Sequence, residues 1–197
     1  MFKRLFDIFF SLLFIVILSP LLIAIALMIK FDSKGSILFR QVRVGKGNKD
    51  FKIWKFRTMY IDSEKSGQIT IGGRDPRITK AGYSLRKYKI DELPQFFNVL
   101  FGDMSLVGPR PEVRKYVALY NDEQKKVLSI KPGITDYASI EYSNENELLS
   151  HSDNPDKTYI EEIMPVKLAF NLKYIAEKSF VTDLKIMWMT VKKIFQS

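Results

Sequence analysis

The run from Leu5 to Ile29 limits what this chain can fold into more than any other feature: it is almost wholly apolar, interrupted by Asp7, Ser11, Ser19 and Pro20. About 25 residues at ~1.5 Å rise per residue are enough to cross a ~30 Å hydrocarbon layer as a helix. Pro20 lies near the middle, where it lacks the N–H that would bond the Val16 carbonyl and its ring crowds that same oxygen, so a straight helix is disfavoured. Lys3 and Arg4 precede the run, and Lys30, Lys34, Arg40, Arg43 and Lys46 follow it closely. Positive residues favour the cytoplasmic side, so both ends belong on the same side. Together these features predict a re-entrant helix hairpin over residues 1–30, broken at Ser19 and Pro20. It would dip into one leaflet and return, with the Ser19 hydroxyl among the partners for backbone groups freed at the break. Hydropathy alone favours a simple spanning helix with a tolerated proline. A cleavable signal peptide is a third reading, because Ala24 and Ala26 form an A-x-A-like pair. Against it, Leu21, Leu22 and Ile23 stand where a polar region belongs, and the run continues through Leu27, Met28 and Ile29.

Residues 31–197 are enough for one further domain with its own core. The formal charge of +9 points to an anionic partner: nucleic acid, lipid headgroups or a phosphorylated substrate. No recognised nucleic-acid motif accompanies it, and the apolar N-terminus asks for a membrane, so nucleic acid is not expected. The chain has no cysteine and a single histidine, His151, which excludes disulfides, thiolate zinc sites, cysteine nucleophiles and paired-histidine metal sites. The chemistry must run on carboxylates, hydroxyls, lysine and arginine.

Residues 37–44 and 51–59 are rich in β-branched and aromatic side chains and are separated by Gly45, Lys46, Gly47 and Asn48, which predicts a β-hairpin. Turns are expected at Gly67, Gly72, Gly73 and Pro76. A short helix should start near Thr79 and carry Leu85 and Arg86; a second should start at Asp91, with Pro94 in its first turn and Gly102 as its stop. Residues 113–128 read as helical, 131–142 do not, 143–155 read as a polar loop, and 160–178 as helical with a kink or restart at Pro165. Leu184, Met187, Trp188, Val191 and Phe195 recur at helical spacing, with Lys185, Lys192 and Lys193 largely off that stripe, as in a helix lying in a membrane interface; an amphipathic helix packed on the domain is the commoner case. The expected fold class is α+β, mainly helical and monotopic: a re-entrant hairpin, a small β-hairpin and interfacial amphipathic helices.

The densest chemical signal runs from Arg74 to Arg114 and centres on Asp91, followed by Glu92, Leu93 and Pro94. An aspartate three residues before a proline is ordinarily an N-cap. The same geometry keeps an aspartate ionised and offers phosphate a favourable field, and a carboxylate held there can coordinate a metal or attack phosphorus.

In order, the chain reads Asp91-Glu92-Leu93-Pro94-Gln95, Asn98-Val99-Leu100, Gly102-Asp103-Met104-Ser105 and Gly108-Pro109-Arg110-Pro111, preceded by Lys55-Phe56-Arg57-Thr58-Met59 and by Ser19-Pro20. With these residues, over nearly its whole length, it resembles the small monotopic phosphoglycosyl transferases, bacterial sugar transferases that begin capsule, O-antigen and glycoprotein glycan synthesis. The resemblance implies transfer of a sugar phosphate from a UDP-sugar to polyprenyl (undecaprenyl) phosphate at the cytoplasmic face of the bacterial inner membrane. It implies that Asp91 attacks the phosphate next to the sugar, that the nucleoside monophosphate leaves, and that the lipid phosphate then takes the phosphosugar from the enzyme. Glu92 completes the dyad, with an implied role as base towards the lipid phosphate.

Negative charge on the diphosphate must be neutralised before a carboxylate can approach it, and Mg2+ is the expected neutraliser, a hard ion bound by one or two carboxylates plus substrate phosphates. Asp91 matches the family's metal-linked position. Arg110, restricted between two prolines, suits a fixed fork for phosphate, and Lys55 and Arg86 match basic family positions near the site. Arg57, Arg74, Arg77 and Lys80 are either substrate contacts or solvated charges, and Asp103 reads equally as structural. A homo-oligomer is compatible with the sequence.

The pattern departs after Ile134. Where relatives carry a Gly-Leu-Ala-Gln-like run ending in Gly-Arg, this chain reads Thr135-Asp136-Tyr137-Ala138-Ser139-Ile140-Glu141-Tyr142, and no arginine follows Arg114. A contact made by that later arginine is therefore absent or taken over by another group, such as a lysine. Two other functions fit parts of the sequence: a membrane-associated glycosyltransferase moving only the sugar, and a non-enzymatic lipid-bound scaffold, which leaves Asp91 to Arg110 unexplained.

Overall fold

A computed structural model of the chain describes residues 2–61, 63 and 75–196. The turns expected at Gly67, Gly72 and Gly73, and the charge at Arg74, lie outside the described residues. Helix α1, Phe2–Asp32, contains Pro20 within it. The expected break at Ser19 and Pro20 is thus not an interruption of the helix. The Ser19 hydroxyl donates to the Val16 carbonyl at 2.8 Å, replacing the N–H that Pro20 lacks at the oxygen it would otherwise orphan.

Both ends of α1 are fastened to the same body. At the start, Lys3 Nζ donates to the Val107 carbonyl and the Tyr174 hydroxyl, each at 3.0 Å, and to Asp183 at 2.6 Å. Arg4 donates to the Val99 and Leu100 carbonyls. Asp7, buried in an apolar helix, accepts from the Ser105 hydroxyl and from the Leu106 amide, which satisfies its charge. At the other end, Ile25 and Ile29 pack with Phe56 and Leu85, and Asp32 accepts from the Ala81 amide at 3.2 Å. Between these attachments Phe9, Leu12, Val16, Ile17 and Ile23 are at least half exposed.

The predicted hairpin is present: β1, Leu38–Val44, pairs antiparallel with β2, Asp50–Phe56, from Leu38 opposite Phe56 to Val44 opposite Asp50. Helix α2, Lys80–Lys87, is capped by the Thr79 hydroxyl, which accepts from the Gly82 amide. The helix expected from Asp91 is divided into a 3-10 turn, Ile90–Glu92, and α3, Gln95–Phe101, which ends at Gly102 with a left-handed φ of 97°. Strand β3, Ser105–Val107, runs parallel to β4, Gly133–Thr135. Just beyond β3 the backbones touch: a Cβ on Gly133 would stand 2.1 Å from the Gly108 nitrogen, so neither glycine can be replaced without moving the chain.

The long helix expected over 113–128 is only two short pieces, α4, Arg114–Val117, and a 3-10 segment, Gln124–Ser129. Asn121 and Gln124 exchange side-chain to backbone hydrogen bonds here, offering the backbone an alternative to helix. Residues 131–142, read as non-helical, include α5, Tyr137–Glu141, and the polar loop after it contains α6, Glu145–Ser150. Helix α7, Pro155–Thr158, passes through a π turn at Tyr159–Ile163 into α8, Met164–Glu177, so the restart anticipated at Pro165 is where that turn ends. Helix α9, Phe180–Gln196, buries Asp183 and Ile186 and turns Leu184, Trp188, Val191 and Ile194 outward; Trp188 is 70% exposed. At its start Phe180 packs edge-on against Phe2 and Phe6 of α1. The outward stripe of α9 is therefore not the ordinary buried face of a helix packed on a domain.

Candidate active site

Strand β2 brings Lys55, the end of α2 brings Arg86, the 3-10 turn brings Asp91 and Glu92, and the segment after β3 brings Arg110 to one place. The turn is held relative to β2 by Asn98 of α3, which donates to the Lys52 carbonyl at 2.8 Å and accepts from the Trp54 amide at 2.9 Å. Asn98 also reaches Asp103, whose role here is structural.

Glu92 is the hub. Its Oε1 accepts from Lys55 Nζ at 2.8 Å, its Oε2 from Arg110 Nη1 at 3.0 Å, and Arg110 Nη2 closes the fork on Oε1. Burial works to raise the Glu92 carboxyl, but Arg110 and Lys55, by charge and by hydrogen bonding, hold it well below the usual carboxylate range. Glu92 in turn raises the Arg110 guanidinium, while burial lowers Lys55. With these cations in place Glu92 is a weak base.

Asp91 has the opposite environment. Among the described residues no hydrogen bond or ion pair holds its carboxylate. Burial, and then the neighbouring Glu92 charge, push it up to about 6, against the weaker pull of Lys55, Arg86 and Arg110. Asp91 lies in the 3-10 turn, ahead of α3, so its carboxyl is raised by burial and not lowered by a helix N-terminus, while staying mostly ionised at neutral pH. Arg86 faces Asp91 electrostatically without an ion pair to it, and burial lowers its guanidinium.

No group of three or more metal-ligating side chains gathers among the described residues. With Glu92 committed to two cations, the open carboxylate of Asp91 fits magnesium carried in on substrate phosphates, and does not fit a cage made by the protein alone.

Arg110 is positioned from both sides. Its backbone amide donates to Asp136 Oδ2 at 3.1 Å, and Asp136, fully buried, also caps α5 through the Ser139 amide at 2.6 Å. On the far side Arg43 donates to the Pro111 carbonyl and to Glu112, each at 3.2 Å, and Tyr159 donates to Glu112. Sequence reasoning missed Arg43, Glu112 and the positioning role of Asp136; the one available signal was that Asp136 stands in the segment that departs from the family pattern. Arg57 and Arg77 are drawn to structural roles: Arg57 donates to the Ser33 and Lys34 carbonyls, and Arg77 pairs with Asp75. Phe96 packs on Phe14, and Phe97 on Trp54.

The family model for "Bacterial sugar transferase" matches residues 1–197. The chain belongs to the bacterial sugar transferase family. Among similar family members, a UDP-glucose:undecaprenyl-phosphate glucose-1-phosphate transferase of Klebsiella pneumoniae is 40% identical over 98% of this chain and 40% of its own length. A UDP-N-acetylgalactosamine-undecaprenyl-phosphate N-acetylgalactosaminephosphotransferase of Aeromonas hydrophila is 40% identical over 98% of this chain and 43% of its own length. The exopolysaccharide production protein PSS of Rhizobium leguminosarum bv. phaseoli is 39% identical over 96% of this chain and 92% of its own length. The chain thus spans about two-fifths of the first two relatives and most of the third.

Proposed function

We propose that this chain transfers a sugar 1-phosphate from a UDP-sugar to undecaprenyl phosphate, as the first membrane step of a surface polysaccharide or glycoconjugate pathway. The observation that carries the reading is the split dyad: Glu92 is saturated by Lys55 and Arg110, while Asp91 beside it is partner-free and pushed up to about 6. A carboxylate in that state is mostly ionised at neutral pH, yet neither hydrogen bonds nor a close counter-ion blunt it as a nucleophile.

In the first step an oxygen of Asp91 forms a bond to the phosphorus that bears the sugar. The bond from that phosphorus to the bridging oxygen breaks, UMP leaves with the electron pair, and an aspartyl phosphosugar remains. In the second step an oxygen of the lipid phosphate attacks the same phosphorus, the bond to Asp91 breaks, and the carboxylate is regenerated with polyprenyl diphosphate sugar as product. Arg110, Lys55 and Arg86 are placed to receive the diphosphate. As the diphosphate draws Arg110 and Lys55 towards itself, Glu92 loses the cations that hold it low and gains basicity, which suits it to the second step. Magnesium bound to the substrate phosphates and Asp91 would neutralise charge on the diphosphate.

The same reading places the protein at the cytoplasmic face of the inner membrane with α1 re-entrant. Support comes from basic residues at both ends of α1, attachment of both ends to one body, and the apolar surface between them. The outward stripe of α9 would lie in the headgroup region.

The test is intact mass after mixing the detergent-solubilised protein with magnesium and either UDP-glucose or UDP-N-acetylgalactosamine, without lipid acceptor. The expected result is a phosphosugar adduct on the wild type, with UMP released, and none on Asp91→Asn. Turnover with lipid acceptor but release of UDP would instead identify a transferase that moves the sugar alone.

A further inference from the structure

Lys89 precedes the catalytic turn and occupies a left-handed backbone conformation, φ 55° and ψ 20°. Side chains other than glycine disfavour it, so a lysine here needs a reason beyond the turn itself. Its ammonium donates to the neutral carbonyl of Ser143 at 3.0 Å, and among the described residues it has no carboxylate partner. It is exposed and stands two residues before Asp91, at the rim of the site.

Of the neighbouring cations, Arg86 faces Asp91 without an ion pair, and Lys55 and Arg110 reach a diphosphate only by letting go of Glu92. Lys55 and Arg110 hold Glu92, and Glu145 is bonded by Lys167 at 2.6 Å. The diphosphate of a nucleotide sugar brings about two negative charges, which call for cations not already neutralised. No arginine follows Arg114, and Lys167, a lysine that reaches the segment around Ser143, is held by Glu145. Lys89 reaches that segment while standing two residues before Asp91.

We propose that Lys89 is a ligand for the diphosphate of the nucleotide sugar, exchanging the Ser143 carbonyl for a phosphate oxygen when the donor binds. This rests on the proposed function. It adds a donor-binding cation immediately before the catalytic turn, on the side that faces Ser143.

Calorimetric titration of the full chain in detergent with UDP, UDP-glucose and UDP-N-acetylgalactosamine tests it, comparing wild type with Lys89→Gln and Lys89→Arg. Glutamine keeps an N–H for the Ser143 carbonyl and removes the charge, so a purely structural tether survives that change. The expected result is a dissociation constant about tenfold higher for Lys89→Gln and close to wild type for Lys89→Arg, with unchanged thermal midpoints. Wild-type affinity in Lys89→Gln overturns the proposal. So does a defect confined to the KM for undecaprenyl phosphate, which would assign Lys89 to the lipid phosphate. The mass adduct is a separate readout: donor binding without an adduct overturns the covalent role of Asp91, and absence of donor binding to wild type overturns both.

Discussion

With Asp91 pushed up to about 6 and Glu92 held well below its ordinary value, the fold depends on pH in opposite senses through two adjacent residues. Folding raises the Asp91 pKa from 3.8, so its favourable contribution is complete below that value and is lost as pH rises through about 6. A shift of about two units puts the cost of the ionised form at up to about 3 kcal/mol. In chelator, Asp91→Asn should therefore resist denaturant better than wild type above pH 6, with the gap closing below pH 4. Magnesium added without a nucleotide sugar should move neither protein, because Asp91 alone makes no cage for it. Glu92 contributes above its unfolded pKa of 4.5, and that contribution fades as pH falls towards its depressed folded value. Glu92→Gln should lose about 2 kcal/mol at pH 7 by leaving Lys55 and Arg110 without their carboxylate. Equal midpoints for all three proteins across pH would mean that neither environment is as described. That Lys55, Asp91, Glu92 and Arg110 come together was foreshadowed by an ordered set of motifs, and the nearness of Arg86 by its match to a basic family position. The partners of Arg110 were not: Arg43 is one of several basic residues in a strand, and Asp136 becomes a ligand for the Arg110 amide only once β4 lies beside β3.

Elements with strong periodicity and clear punctuation were readable: the hairpin across Gly45 to Asn48, the stop at Gly102, the restart at Pro165 and the amphipathic α9. Residues 113–128 were misread because apolar spacing outweighed the side-chain hydrogen bonds of Asn121 and Gln124, which have no periodic signature. The β3–β4 pair, three residues each, is too short to leave a pattern. That pair nevertheless sets the position of Arg110, through the contact of Gly108 with Gly133. Gly133→Ala would bring a methyl group against backbone, and it should cost more than about 3 kcal/mol, read as loss of folded protein on expression. For α9, replacing Leu184 and Trp188 with glutamate should leave the fold intact, because both side chains point outward, yet reduce recovery of the protein with liposomes in flotation. Unchanged flotation would leave α1 as the sole attachment.

At the scale of the whole molecule, the mainly helical class with a small β-hairpin was legible, because one apolar run and one turn-bounded pair of strands announce it. What joins the apolar helix to the body was not legible, since the joining groups are far apart in sequence. Lys3 meets Asp183 across 180 residues, Asp7 meets Leu106 across 99, and Arg4 meets Val99 across 95. Contacts between such distant residues form late, after the intervening chain has been made and ordered. During synthesis, then, the basic and acidic groups at the start of α1 lack their partners until α3, β3 and finally α9 arrive to supply them. On the membrane reading proposed above, insertion of this helix and completion of the fold are separate events in time, and a chain halted before α9 would be held in the membrane with Lys3 still lacking its carboxylate.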